Sequence, residues 1–481
     1  MSTRVDLAIV GAGPAGMAAA LEAHGRGLSV AVIDEQPRPG GQIYRRPETR
    51  DVTLERALGP EYAHGMALTE RFLAAGLDYR PATALWDLSA ERKLSLSSGE
   101  RASELDAAQV ILATGAMERP VPVPGWTLPG VMSVGAAQIM LKTAGAVPRS
   151  PAVLAGSGPL LYLLASQLVE AGASVRAIVE TAPASNRLAA AAHLPAALRQ
   201  HKLLAKGLAM LRGLKRAGVA RIEGARGLRI EGTERCQALV FQAGGFSQRF
   251  DTELVLLHEG VIPNAHVSMA LGCAHDWDEA QLCWRPRLGP WGETTVEGVA
   301  VAGDGGGING AEAAEHLGTL AALGAAHRLG KLDAGARDKA AARLRAALAR
   351  LDGARRFIDL LYRPAMGQRV PADDAAIVCR CEEVTAGEIR RAARLGALGL
   401  TQAKAYTRCG MGPCQGRMCA PTVAAIIAAA RGVDESAVAP YRPRAPYKPV
   451  TLGALASLRD PAFAVESAAE HLYRRDVKDE V

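Results

Sequence analysis

The chain has 481 residues, 49% hydrophobic and 22% charged, with a net charge of +7 and no dense basic block. That length allows two or three domains whose cores need no disulfide or metal staple. With only 4% aromatic residues, neither a base-stacking platform nor a phosphate track for nucleic acid is expected.

No apolar run reaches the 18 residues of a membrane span. The N-terminus carries no secretory pattern, since glycines and a proline interrupt its apolar run. The expected location is the cytoplasm. In that reducing compartment clustered cysteines serve metal or redox chemistry rather than disulfides.

Residues 4–10, RVDLAIV, predict a buried strand. GAGPAG follows at 11–16, then a helical stretch, then a second apolar strand ending at Asp34 and Glu35. This is the order of a dinucleotide fold. Gly11 permits the tight turn, and Gly13 lets the backbone approach a pyrophosphate. Gly16 lets helix and strand pack closely, and Pro14 and Ala15 open the helix whose N-terminus faces phosphates. Asp34 is placed to accept hydrogen bonds from an adenosine ribose, with Glu35 beside it.

Three later segments bear on what the nucleotide is. PRPGGQIYRR at 37–46 holds Gly41 and Gln42, and ILATGAMERP at 111–120 ends a strand at Thr114 and Gly115. GVAVAGD at 298–304 ends at Gly303 and Asp304, with a helix expected near Asn309. Their order resembles that of two-dinucleotide-domain flavoproteins, and the resemblance implies FAD, with Asp304 on its ribityl chain. The glycines and Asp34 themselves specify only an ADP moiety, which FAD, NAD and ATP share.

A second strand–turn–helix lies at 151–180. Gly156 and Gly158 fill the first two glycine positions, but Leu161 stands at the third. Relatives that bind NAD(P)H carry it in this inserted domain. Here the incomplete fingerprint favours a retained fold with a degraded site. Thioredoxin reductase-like proteins carry a CxxC in this domain. Cys236, Cys273 and Cys283 are isolated and read as small buried hydrophobes.

The remaining five cysteines crowd into CRC at 379–381 and RCGMGPCQGRMC at 408–419. A helix over 385–396 with a Thr385/Glu388 capping box, a second at 400–406 and a third after Cys419, with Pro421 in its first turn, would frame them. Four thiolates suit zinc or an iron–sulfur cluster, and the CxC start does not fit a zinc knuckle. The segment resembles the [2Fe-2S] domain of bacterioferritin-associated ferredoxin. That resemblance favours Cys379, Cys381, Cys414 and Cys419 as ligands, with Cys409/Cys414 the other choice for the second pair. Arg380, Arg408 and Arg417 flank the ligands, either raising the cluster potential or standing as solvated surface charges. Beyond the module, prolines at 440–449 predict a stiff arm. It lies along a partner chain or on its own chain, and the first is expected.

The expected architecture is therefore α/β, a two-dinucleotide-binding-domain flavoprotein with a small helical [2Fe-2S] domain. Residues 1–145 and 285–330 form the FAD/ADP-binding domain, and 146–284 the NAD(P)-like domain. A helical connector (331–372), the cysteine module (373–435) and a Pro-rich tail (436–481) follow. From GGQIYR to GDGGGINGAEAA and the tail, the chain resembles the alpha (A) subunits of heteromeric amine and opine dehydrogenases. These include the A subunits of octopine and nopaline oxidases, D-hydroxyproline dehydrogenase and the B subunit of hydrogen cyanide synthase. The resemblance implies an electron-transferring flavin/[2Fe-2S] subunit. A partner beta subunit, similar to FAD-dependent amine or amino-acid oxidases, would oxidise a secondary amine or amino acid. An FMN at the subunit interface, a small third subunit, a quinone or respiratory acceptor and a position peripheral to the inner membrane complete what it implies. No catalytic residue for substrate is expected in this chain. The competing readings are a self-contained NAD(P)H-dependent flavin/iron–sulfur reductase and a metal-binding interaction protein.

Overall fold

A computed structural model describes residues 3–45 and 52–459; Arg46 of the GGQIYRR stretch and the last part of the tail, 460–481, lie outside them. The second half of the strand Thr3–Val10 is apolar on both faces, and Leu7, Ala8 and Ile9 are fully buried, as a central parallel strand requires. It pairs in parallel with Val30–Ile33 on one side and Arg101–Leu112 on the other. Val299–Val301 returns from far along the chain to pair with the end of Arg101–Leu112, Val301 opposite Leu112. Four strand ends, at Val10, Ile33, Leu112 and Val301, thus meet at one edge, where ligands bind in open parallel sheets. The helices Pro14–Gly25 and Ala311–Arg328 cross on the sheet's face. A Cβ on Gly318 would lie 2.0 Å from the Ala15 carbonyl oxygen, so the helix backbones touch.

The second sheet is wholly parallel, in the order Ala220–Ile222, Val175–Glu180, Ala152–Ser157, Leu254–Glu259 and Val131–Ser133. An antiparallel meander (Arg226–Glu231, Ala238–Ala243, Phe246–Asp251) covers one of its faces. The division expected at 145/146 therefore falls too late. Val131–Ser133 already belongs to the second sheet, and Val121 and Val123 to its core. A three-residue strand is too short to announce itself by periodicity.

The connector is mostly one helix, Ala334–Leu361, begun by Asp333, whose carboxylate accepts from the Ala336 amide at 2.9 Å. In the cysteine module the strand Ile377–Cys379 pairs antiparallel with Val384–Thr385. The helix Ala386–Arg394 opens with both halves of the Thr385/Glu388 capping box. Leu400–Thr407 follows, and Ala420–Arg431 starts directly after Cys419.

The described part of the proline-rich arm, expected along a partner chain, lies on its own chain. The Tyr447 amide donates to the Trp86 carbonyl at 2.8 Å, Thr451 bonds Glu100, and Ser457 accepts from the Ala102 amide at 3.0 Å. From the module, Gln415 donates to the Pro446 carbonyl and Arg417 to that of Tyr447. The arm straps the module to the first sheet. An extended, stiff segment has unpaired backbone groups, and here the body and the module satisfy several of them.

Candidate nucleotide and iron–sulfur sites

The first glycine turn is a cradle that side chains would fill. A Cβ on Gly16 would stand 1.8 Å from the Gly11 carbonyl oxygen, and one on Gly11 (φ +108°) 2.4 Å from that of Ala113. Gly13 caps the helix that Pro14 and Ala15 open. The GG segment closes over this turn. The Gly40 amide donates to the Ala12 carbonyl at 2.8 Å, and a Cβ on Gly41 would meet Gly13 Cα at 2.9 Å. Gly303 abuts Ala15 from the other side. Residues far apart in sequence (Gly11, Gly13, Ala15, Gly41 and Gly303) thus form one bare backbone surface, which fits a pyrophosphate.

The acids around it divide their work. Asp34 is buried. Its oxygens accept from the Ala12 amide at 2.5 Å and the Gln36 amide at 2.7 Å, and burial raises its pKa. Both bonds brace the turn. Glu35, the next residue along the extended chain, points the other way. It is exposed and ion-paired with Lys448 of the arm. Asp304 accepts from the Asn309 and Gly310 amides at 2.8 and 3.0 Å, both through Oδ1. Thr114 and Gly115 are stitched to Asn264: the Thr114 hydroxyl donates to its carbonyl at 2.9 Å, and its amide donates to the Gly115 carbonyl at 2.9 Å. Gln42 is exposed, and its backbone carbonyl accepts from Lys142 at 3.0 Å. Burial lowers the Lys142 pKa to about 8. Asn264, Lys142 and Lys448 carried no local sequence signal.

At the second glycine turn the chain's own connector occupies the approach. Ser157, between Gly156 and Gly158, donates to the Tyr362 carbonyl at 2.9 Å. Asn186 donates to the carbonyls of Leu361 and Arg363 at 3.2 and 2.9 Å. Glu180, at the ribose end of the second strand, is taken by the Tyr162 hydroxyl and by Arg221. Leu161 is fully buried in the core beneath, among Leu154, Leu164 and Leu256.

The five clustered cysteines fall into two groups. Cys379, Cys409 and Cys419 are buried with their sulfurs within 4.8 Å of one another, Cys409 and Cys419 at 3.7 Å. The thiols of Cys409 and Cys419 donate toward Cys379 and lower its pKa to about 2, while theirs are raised. Outside them, the sulfurs of Cys381 and Cys414 are 3.8 Å apart. Two thiolates on one tetrahedral metal with bonds of about 2.3 Å sit about 3.8 Å apart, so the donor set fits a metal centre. A Cβ on Gly412 would strike the Cys381 side chain at 2.2 Å, which is how the loop reaches the CxC segment. Tyr441 donates to the Cys409 carbonyl at 2.9 Å, and its ring packs against Gly410 and Gly416. Cys409, expected to be a bystander, stands inside the buried trio. The flanking arginines all have partners. Arg380 lies over the Trp126 ring, Arg408 bonds Glu382 at 2.9 Å, and Arg417 reaches the Tyr447 carbonyl and His266. Trp126 donates to the Ile377 carbonyl at 2.7 Å, joining module to body.

This pairing of a two-sheet Rossmann body with a cysteine module defines a flavoprotein oxidoreductase carrying an iron–sulfur domain. Residues 5–318 match the Pyridine nucleotide-disulphide oxidoreductase family, and residues 377–429 the BFD-like [2Fe-2S] binding domain. The chain is 44% identical to the A subunit of opine oxidase from Rhizobium meliloti, with 96% of this chain and 89% of that one covered. It is 44% identical to the corresponding protein from Agrobacterium tumefaciens (strain Ach5), covering 97% and 94%. Against the HcnB subunit of hydrogen cyanide synthase from Pseudomonas aeruginosa it is 34% identical, covering 94% and 98%. L-proline dehydrogenase from P. horikoshii shares the fold at a TM-score of 0.67 and 20% identity, covering 95% of this chain and 80% of that one. The chain belongs to the family of opine oxidase A subunits, within the pyridine nucleotide-disulphide oxidoreductases. Among the described residues no helix is long and apolar enough to cross a membrane.

Proposed function

We infer that this chain is the electron-transferring subunit of a heteromeric dehydrogenase acting on a secondary amine or amino acid of the opine type. A partner subunit takes the hydride and yields an imine that water hydrolyses. The observation that carries this reading is the contrast between the two glycine turns. The first is an open backbone cradle, whereas the second is covered by residues 361–363 of the same chain. Reducing equivalents therefore have no entry as NAD(P)H and come from a neighbouring subunit.

The chain's own residues would do the following. Gly11, Gly13 and the amides opening the helix Pro14–Gly25 hold the pyrophosphate. Glu35 takes the adenosine ribose in place of Lys448 or together with it, while Asp34 fixes the turn. Asp304 is held by two amides through one oxygen, so its other oxygen serves a ribityl hydroxyl. Cys379, Cys381, Cys414 and Cys419 would hold the cluster, with the Cys409 thiol donating to the Cys419 sulfur. Flavin accepts electrons in pairs and releases them singly, and a [2Fe-2S] cluster carries one at a time. A respiratory carrier or quinone is the final acceptor.

The test is the composition and reactivity of anaerobically purified chain. Flavin, about two irons per chain and no bleaching by NADH support the reading. Zinc in place of iron, or rapid bleaching by NADH, would overturn it in favour of a structural metal or a free-standing reductase.

A further inference from the structure

A cavity of about 110 Å³ lies between the flavoprotein body and the cysteine module. Its walls are largely apolar: Met117, Ile262, Met269 and Trp277 from the body, Pro440 and Pro443 from the arm. It is of the order of the roughly 150 Å³ cavity that admits a benzene ring. Its position matters more than its size. Asn264, which is stitched to Thr114 and Gly115 of the first nucleotide site, lines one side. Gln415, Gly416 and Arg417, three of the four residues between Cys414 and Cys419, line the other.

Two wall residues carry buried nitrogens without a partner, His266 Nε2 and Trp284 Nε1. Both are donors. An indole N–H only donates. His266 Nδ1 faces the Arg417 guanidinium at 3.3 Å, and a guanidinium only donates, so Nδ1 accepts and the ring proton sits on Nε2. Burial next to Arg417 and Lys448 also lowers the His266 pKa to about 4, which keeps the ring neutral. A buried unpaired donor costs free energy unless something accepts from it. The cavity therefore asks for a flat, apolar ligand with acceptor oxygens and no need of a counter-charge. Among the described residues Arg417 is the only arginine or lysine in the lining, and it is spent on Tyr447 and His266, while Glu435, also in the lining, is ion-paired with Arg369. A phosphate-bearing ring is disfavoured there.

We propose that this cavity binds the ring of a quinone, which is the acceptor for electrons leaving the cysteine module; the proposal rests on the electron-transfer reading above. Its carbonyl oxygens accept from His266 Nε2 and Trp284 Nε1. A quinone bound there would gain two electrons, one at a time, from a reduced cluster held by the module, and two protons from water, and would leave as the hydroquinone. Cys283, also in the wall, is held protonated by burial, its pKa pushed up to about 12, and so does not add to the ring.

The test uses the oxidised complex, co-expressed with its partner, and decyl-ubiquinone as probe in equilibrium dialysis. Saturable binding at one site per chain is expected. Trp284→Phe, which keeps an aromatic ring and removes the donor, should weaken it about tenfold. Met269→Trp, which fills the cavity, should abolish it, with iron and flavin content unchanged in both. Absence of saturable binding to the wild type overturns the proposal. So does equal binding by Met269→Trp, which would mark an adventitious additive only, and so does release of FMN from the cavity in competition with the probe. Amine-driven reduction of the cluster is recorded in the same complex. Its failure would sink the electron-transfer reading while the binding result still stands.

Discussion

Replacing Gly16 by alanine puts a methyl group where the structure has only 1.8 Å to the Gly11 carbonyl oxygen. Real Cβ contacts do not fall below 3.0 Å, so helix and strand must separate by roughly 1.2 Å, and the obstacle is backbone that no rotamer change relieves. Overpacking of this kind costs about 1–3 kcal/mol in stability. The same retreat draws the amides of the helix N-terminus away from the pyrophosphate. Losing one charge-assisted hydrogen bond, worth about 1.5–3 kcal/mol, weakens nucleotide binding by about tenfold to a hundredfold. Gly25 in the same helix has nothing within 4 Å of its would-be Cβ. Gly25→Ala should therefore be neutral or stabilising by about 0.5–1 kcal/mol. The assay is flavin retained per chain after gel filtration, together with urea unfolding. Full flavin content and an unshifted urea midpoint in Gly16→Ala would refute the close-approach argument.

Cys414→Ser should lose the cluster, whereas Cys409→Ala should keep it. In Cys409→Ala the lost thiol donor lowers the potential by about 40 mV if that bond is worth about 1 kcal/mol; redox titration with iron analysis reads both. Arg369 and Glu435 form an ion pair, each 9% exposed, between the connector and the module. Arg369→Ala leaves a buried carboxylate unpaired and should cost about 3–5 kcal/mol in thermal or urea unfolding. Burial raises the Glu259 pKa from 4.5 to about 7, against hydrogen bonding by Thr181 and the charges of Arg119 and Arg369. The folded state thus holds a proton that the unfolded state has already released. Glu259 therefore makes stability fall as pH rises from about 4.5 to 7, and then level off. Unfolding of Glu259→Gln should lose that slope, and an unchanged slope would assign it to another group.

What was legible in the sequence is what is written in neighbouring residues. Gly11, Gly13 and Gly16 occur between an apolar strand and a helix because turn, approach and packing demand them within six positions. Thr385 and Glu388 announced the helix they cap. The prolines of the arm gave its stiffness, but what it lies on depends on Trp86 and Glu35, hundreds of residues away. Asn264 beneath Thr114 and Tyr362 across Ser157 are of the same kind. Such contacts join segments whose own periodicities say nothing of each other. Asp34 turns inward to the Ala12 amide and Glu35 outward to Lys448 because side chains alternate along an extended chain, and composition does not say which faces which way. Leu161 marked the second turn as altered, but only the connector folded across it shows how the approach is closed.

The central claim is that electrons reach the cysteine module from an amine by way of a partner subunit, not from NADH. The most direct test is low-temperature electron paramagnetic resonance of the complex, frozen after anaerobic mixing with an opine or with NADH. The account predicts the signal of a reduced [2Fe-2S] cluster with the opine, none with NADH, and none with the opine when the partner is omitted. A cluster reduced by NADH in the isolated chain would contradict it.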